Sequence, residues 1–248
     1  MISQALRDLP ENMSRAELIN STDRAISHRS GGYLKYATAD ESRMGAALQG
    51  IMVAMKSPSF LTFLEVLTGI GPLLVDDTNN GGGIHQISRQ GSLQIHADFN
   101  MQSPDFHRRV NAFLYLNPAW DSDAWHGDLE LWDRSMTTCM QRIAPIANRL
   151  VVFSTTDFSY HGHADPLECP AHRTRRSVAN YYYTTSRPLE EVLLTEEGRP
   201  KMHSTLYQTR KCASCTQTQC RPRFDGLAPK RERPFRSVKQ ARLRTPVE

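Results

Sequence analysis

Leu93-Gln94-Ile95-His96-Ala97-Asp98-Phe99-Asn100 is the stretch on which both the fold and the chemistry turn. Apolar Leu93, Ile95 and Ala97 alternate with polar Gln94, His96 and Asp98, the period of a β-strand. Alternate residues of a strand share a face, so His96 and Asp98 point together into one space. One neutral imidazole with one carboxylate is a borderline, fairly hard ligand pair that suits Fe(II). Two imidazoles and one carboxylate on one octahedral face leave three positions open, as oxygen chemistry requires. Structural zinc would close its shell with four protein ligands instead. A His-x-Asp pair by itself is usually a surface pair or a hydrogen-bonded one, so the partners downstream decide its meaning.

Those partners lie in Ser159-Tyr160-His161-Gly162-His163 and at Arg175. His161 and His163 are both candidates for the third ligand, because a spacing of two puts them on one strand face. His172 is a further, weaker candidate. Arg175 opens the last strong strand, after the turn-like Glu168-Cys169-Pro170-Ala171. A guanidinium there can grip a carboxylate by two parallel hydrogen bonds. Arg176 faces the opposite way.

Working outward, Val110–Asn117 reads as a buried strand, and Leu129–Trp132, Leu150–Phe153 and Ser177–Tyr183 read as further strands. Short strands separated by turn signals predict an all-β sandwich or barrel. The first third reads as helical. Ser57-Pro58 supplies an N-cap and a first-turn proline, Phe60, Phe63, Leu64 and Leu67 follow at helical spacing, and Gly69 stands where a helix would end. An earlier helix spans about Ser42 to Met55 with Met44, Leu48, Ile51 and Met55 on one face, and residues 1–35 read as helix plus loop. Thr78–Gly83 is a loop. Pro188–Leu194 reads as a short helix. Asp121, Asp123, Trp125 and His126 occupy an inter-strand loop, and the Tyr181-Tyr182-Tyr183 run reads as alternating core and surface positions with Tyr181 or Tyr183 free to line a cavity.

Composition bounds the function. With 248 residues, 39% hydrophobic and 23% charged, the chain suits a soluble globular protein of one large or two small domains. No apolar run approaches the roughly 20 residues of a membrane span, and the first residues lack an apolar signal core, so a cytoplasmic location is expected. The five cysteines are an odd number with no secretory context, which argues against a disulfide framework. Cys212, Cys215 and Cys220 could form part of a zinc clip, with His203 the nearest fourth ligand, but the spacing is not that of a standard finger. Residues 221–248 carry nine Lys/Arg against three acids, hence +6, while the whole chain is +4, so the remainder is −2. A solvated, disordered tail is expected there. Contact with nucleic acid through it is the sharper alternative, opposed by the slightly acidic remainder.

Taken in order, Leu93–Asn100, Arg109–Asn117, Gly127–Trp132, Arg149–Phe153 and Ser159–Thr184 resemble the Fe(II)/2-oxoglutarate-dependent dioxygenases, specifically the prolyl-4-hydroxylase-like branch. The resemblance covers about Gly81 to Thr184. It implies a mainly β fold with supporting α-helices, a double-stranded β-helix (jelly roll, cupin-like), with residues 1–75 as helical support, 76–190 as catalytic core and 191–248 as an extension. It implies His96, Asp98 and His161 as iron ligands, His161 being preferred over His163 because Ser-Tyr-His matches the family's aromatic-then-His pattern. Arg175 falls at the family's position for the basic residue that holds the 2-oxoglutarate carboxylate, and Tyr115, immediately before Leu116-Asn117, stands where a tyrosine also binds it. The strand hydroxyl that assists in oxygen-sensing members corresponds here to Ala179, so that contact is expected to be lost or replaced. The implied reaction consumes O2 and 2-oxoglutarate, releases succinate and CO2, and hydroxylates a C–H bond of an amino acid, a peptide or protein side chain, or a natural product, with ascorbate as a possible stimulant. Asp98 favours hydroxylation over halogenation, since family halogenases lack that carboxylate. Oxidative demethylation of nucleic acid and a non-catalytic jelly-roll binding or sensor module are the alternatives.

Overall fold

The computed structural model describes residues 32–210 and 223–224. The described residues open with strand β1 (Gly32–Thr38), then helices α1 (Ala46–Met55) and α2 (Pro58–Thr68) and the short β2 (Leu74–Val75). The body follows: β3 (Gly83–Ala97), β4 (Met101–Ser103), β5 (Phe106–Tyr115), a one-turn helix α3 (Ser122–Trp125), β6 (Leu129–Trp132), β7 (Cys139–Ile143), β8 (Leu150–Ser154), β9 (His161–His163) and β10 (Thr174–Thr184). Two-residue strands β11 (Leu206–Tyr207) and β12 (Arg223–Phe224) complete it. Among the described residues no single helix is long and apolar enough to cross a membrane.

The long strand β3 organises the molecule. β1 pairs with it between Ile84 and Leu93 and β10 between Gly83 and Ser88, while its second half also pairs with β9 and β11. β10 continues to β5 and β5 to β8, giving one sheet; β9 continues to β6 and β6 to β7, giving the other. A strand that belongs to both sheets makes the corner of a jelly roll. The bend falls at Gly91, where a Cβ would lie 2.6 Å from Ile87 Cγ2 and 2.7 Å from the Ser88 carbonyl oxygen, so only glycine fits. All of these pairings are antiparallel; β12 runs parallel to β7.

The helices cover the outer face of the first sheet. Leu48, Ile51, Met52 and Met55 of α1 and Leu64 of α2 meet Ile84, Val110, Ala112, Val178 and Tyr182. Burying one such leucine contributes about 2 kcal/mol. The capping residues of α2 are those the sequence indicates: Ser57 Oγ accepts the Phe60 N–H at 3.3 Å, and Gly69 adopts φ 69° at the C-terminus. Its apolar face is narrower than the spacing implies, for Leu64 is buried while Phe63 and Leu67 are exposed. The earlier helix has the expected buried face, but it begins at Ala46, after a separate 3-10 turn at Glu41–Arg43.

Two expectations need correction. Residues 32–35 are strand, not helix plus loop, since β1 pairs with β3. Leu34 takes φ 49° where the register shifts between Tyr33 and Lys35, the single residue of β1 standing against Ser88–Gly91 of β3. A non-glycine residue held at positive φ costs on the order of 1–3 kcal/mol. Pro188–Leu194 contains only a 3-10 turn at Leu189–Glu191, after which the chain turns at residues 195–198 and returns to pair with β3 at Leu206–Tyr207. Leu206 lies opposite Ala97 and Tyr207 opposite His96. Cys212, Cys215, Cys220 and nearly all of the basic tail lie outside the described residues.

Candidate metal centre

His96 and Asp98 come from the end of β3 and His161 from β9, directly opposite His96 in the register. β9 can approach β3 this closely because Gly162 separates the two histidines; a Cβ there would stand 2.7 Å from the Gln94 carbonyl oxygen. One ligand atom each from His96, Asp98 and His161 lies within 4.8 Å of the others. His96 Nδ1 donates to the Gln94 carbonyl at 2.7 Å and His161 Nδ1 to the Ser159 carbonyl at 2.9 Å. A carbonyl only accepts, so both Nδ1 atoms carry protons and both Nε2 atoms turn inward.

Electrostatics complete the argument. Burial pushes the His161 pKa down to about 4, against the opposing pull of Asp98, so its Nε2 holds a lone pair at neutral pH. That nitrogen lies 3.4 Å from Asp98 Oδ2, and His96 Nε2 lies 3.5 Å from Asp98 Oδ1. The His161 approach is therefore lone pair against carboxylate rather than a hydrogen bond, and a cation between the two would relieve it. Burial would raise the Asp98 pKa, but Arg108, His161 and His96 outweigh it and hold the carboxyl well below its usual range. Asp98 is further fixed by Arg108 Nη2 and Asn111 Nδ2, each 2.8 Å from Oδ2. Neutral imidazole, ionised carboxylate and oriented ring tautomers are the forms that a 2-His-1-carboxylate iron site requires, so this donor set fits Fe(II).

Beside the triad lies a cavity lined by Tyr115, Arg175, Ser177, His85, His163 and Lys35, among others. Arg175 is buried; its Nε donates to the Gly127 carbonyl at 2.7 Å and its Nη2 to Tyr115 Oη at 3.2 Å, with the guanidinium 5.0 Å from the Tyr115 ring centroid. Burial raises the Tyr115 pKa against the pull of Arg175, so the phenol stays protonated and can donate. Tyr115, Ser177 and Arg175 share one face because Ser177 is opposite Tyr115 in the register and two residues from Arg175.

Of the residues singled out in the sequence, His96, Asp98, His161, Arg175 and Tyr115 are brought together around one space. His163 lies in the cavity wall but not in the triad; burial and the nearby Arg175 and Lys35 push its pKa well down, leaving it neutral. His172 is exposed and remote from the triad. His203 is taken up elsewhere, 3.1 Å from Asp157 and 2.7 Å from the Ser204 carbonyl oxygen, so it is not free for a cysteine clip. Ser177, two residues before Ala179, is the strand hydroxyl residue that lines the cavity. Tyr181 lines the cavity, whereas Tyr182 is core and Tyr183 stacks on Phe106 at 4.1 Å, so none of the three is a surface residue. The Gly81–Gly83 loop is tied down: the Gly81 carbonyl accepts from Tyr181 Oη at 2.8 Å and from His85 Nε2 at 2.9 Å.

Sequence reading missed Arg108, Asn111 and Lys35. Asn111 was legible in principle, since it alternates with Phe113 and Tyr115 on β5. Arg108 was not. The β5–β10 register shifts so that Val110 faces Tyr182 and Arg108 faces Tyr183, leaving Arg109 as an extra residue. Strict alternation would have sent Arg109, not Arg108, towards Asp98.

A jelly roll that turns two histidines and an aspartate onto one space, beside a cavity that Arg175 and Lys35 line, is an arrangement suited to a non-haem iron. Residues 82–183 match the model of the 2OG-Fe(II) oxygenase superfamily, and over that span the chain is similar to it. No curated protein matches it in sequence. Similar solved structures include a prolyl hydroxylase from Trichoplax adhaerens in complex with a hypoxia inducible factor oxygen degradation domain peptide fragment (19% identity, 62% of this chain and 63% of that one, TM-score 0.45). The chain thus spans less than two thirds of that protein. Others are a Pseudomonas putida prolyl-4-hydroxylase (16%, 75% and 100%, 0.42) and HygX from Streptomyces hygroscopicus with nickel and 2-oxoglutarate bound (12%, 75% and 87%, 0.44).

Proposed function

We propose that the protein is a hydroxylase of the prolyl-4-hydroxylase-like type, acting on an unactivated C–H bond of an amino acid, a peptide or protein side chain, or a natural-product scaffold, with release of succinate and CO2. The observation that carries this reading is the inward-facing triad: two Nδ1-anchored imidazoles turned onto a carboxylate that Arg108 and Asn111 keep ionised and oriented. His96, Asp98 and His161 would hold iron, and Arg175 with Tyr115 would hold the far carboxylate of 2-oxoglutarate. Bound there, Fe(II) with 2-oxoglutarate and O2 supplies the oxidising power for C–H hydroxylation. The chain's own part is positional. Gly127 and Tyr115 fix the Arg175 guanidinium before the co-substrate arrives, which lowers the ordering cost of binding. Tyr115 Oη adds a donor, and Leu129, Phe113 and Ile87 form apolar wall that excludes water from the reacting carbon.

The test is spectroscopic. Metal-free protein given Fe(II) and 2-oxoglutarate without oxygen should develop the weak visible charge-transfer band of the chelate, and admitting oxygen should yield succinate. Folded protein that gives neither band nor succinate would sink the proposal.

A further inference from the structure

Lys35 is a cation in the cavity wall that the triad and the Arg175 clamp leave without a task. In the register, Lys35 of β1, Ile87 of β3 and Arg175 of β10 stand directly opposite one another across three adjacent strands. Cross-strand partners share a face, so Lys35 and Arg175 project to the same side, about 10 Å apart at the backbone from two strand spacings. The next row on that face holds Ala37, His85, Ser177 and Tyr115. Leu34, at φ 49°, sits immediately before Lys35, where the register of β1 on β3 shifts. Among the described residues Lys35 makes no salt bridge.

The charges of the cavity do not balance as they stand. Asp98 is matched by Arg108 at 2.8 Å. Arg175 meets a carbonyl, a phenol and a ring but no carboxylate. His85 and His163 are held neutral by burial and by the surrounding cations. A divalent metal and a dicarboxylate co-substrate cancel each other, so Lys35 and Arg175 still leave the filled cavity positive. Burial lowers the Lys35 pKa to about 8, countered by Asp98 and reinforced by Arg175 and Arg108, which leaves the ammonium charged at neutral pH. A half-buried cation that lines such a cavity favours an anion there.

We propose that Lys35 is a second carboxylate anchor of this pocket, gripping a carboxylate of either the co-substrate or the substrate. The inference rests on the oxygenase reading above for the identity of the first ligand. It fits a substrate that carries a free carboxylate, because the surplus charge persists once the metal and 2-oxoglutarate are counted.

Calorimetry on anaerobic, Fe(II)-loaded protein tests it, with 2-oxoglutarate as one titrant and acetate, added with and without saturating 2-oxoglutarate, as the other. Lys35→Met keeps the length and loses the charge; Lys35→Arg restores the charge. If the co-substrate is the source, Lys35→Met raises the 2-oxoglutarate Kd about tenfold or more and Lys35→Arg recovers it. If the substrate is the source, 2-oxoglutarate binding is unchanged, while acetate binding to the 2-oxoglutarate-saturated protein weakens about tenfold in Lys35→Met and recovers in Lys35→Arg. Both titrations unchanged in Lys35→Met overturn the proposal, as does a wild type that takes up neither carboxylate. A wild type that binds acetate through Lys35 but does not bind 2-oxoglutarate instead removes the co-substrate reading and leaves the anchor standing.

Discussion

The centre depends on which nitrogen each histidine turns inward. His161 has a carbonyl behind its Nδ1 and Asp98 before its Nε2, while His163, on the same strand face, looks into the cavity wall. His161→Ala should therefore abolish Fe(II) uptake, whereas His163→Ala should retain it with lowered activity; the opposite pattern in metal analysis would reassign the ligand. The support behind Asp98 has its own consequence. Asn111→Leu removes a 2.8 Å hydrogen bond to Oδ2 and should weaken iron binding about 10- to 100-fold, read as the Fe(II) Kd by anaerobic titration. His96 and Asp98 were legible because they obey the period of the strand, and His161, Arg175 and Tyr115 because they also fall in order. Arg108 was not, because it flanks a bulge and one extra residue reverses the face that simple alternation assigns; Lys35 was not, because β1 was not among the expected strands.

Among the elements, the segment after β10 is bound into the domain by a polar knot. Asp157 accepts the Leu193 N–H at 2.6 Å and pairs with Arg187 and His203, while Asn100 reaches the Lys201 carbonyl at 2.8 Å and accepts the His203 N–H. Burial lowers the His203 pKa, but its bond to Asp157 outweighs this and leaves it raised. The Asp157 pKa is lowered, its hydrogen bonds outweighing burial. A raised histidine pKa gives stability that is complete below its unfolded value, about 6.5, and fades as pH rises through the folded value. A lowered carboxylate pKa gives stability present above its unfolded value, about 3.9, and lost as pH falls through the folded one. The knot is thus strongest near pH 5–6. His203→Gln should lower the melting temperature most there and progressively less towards pH 8; an equal loss at both pH values would mean that the imidazole is not charged. Nothing in the sequence marked this knot, because its members are scattered polar residues with no period, joined only by the fold.

In the molecule as a whole, the helices support the sheet and the chemistry lies on its far side. Leu48 is fully buried against β10 and β5, remote from the cavity, so Leu48→Ala should cost about 2–5 kcal/mol of unfolding free energy with the 2-oxoglutarate Kd unchanged. Calorimetric melting and ligand titration on one sample check both halves. The β-rich architecture and the helix caps were readable because period and punctuation are local properties. The corner at Gly91, the strand at 32–35 and the return of the chain onto β3 were not, because pairing partners far apart in sequence decide them. Arg223 and Phe224 pair with β7, so a tail deletion that should leave succinate formation intact is better begun at residue 225 than at 221.

Tyr207 lies opposite His96, with the rings 5.7 Å apart, so a segment far along the chain closes one edge of the centre. A truncation that stops short of residue 206 would bare that edge of the His96 ring, and the centre is therefore not self-contained within residues 82–183.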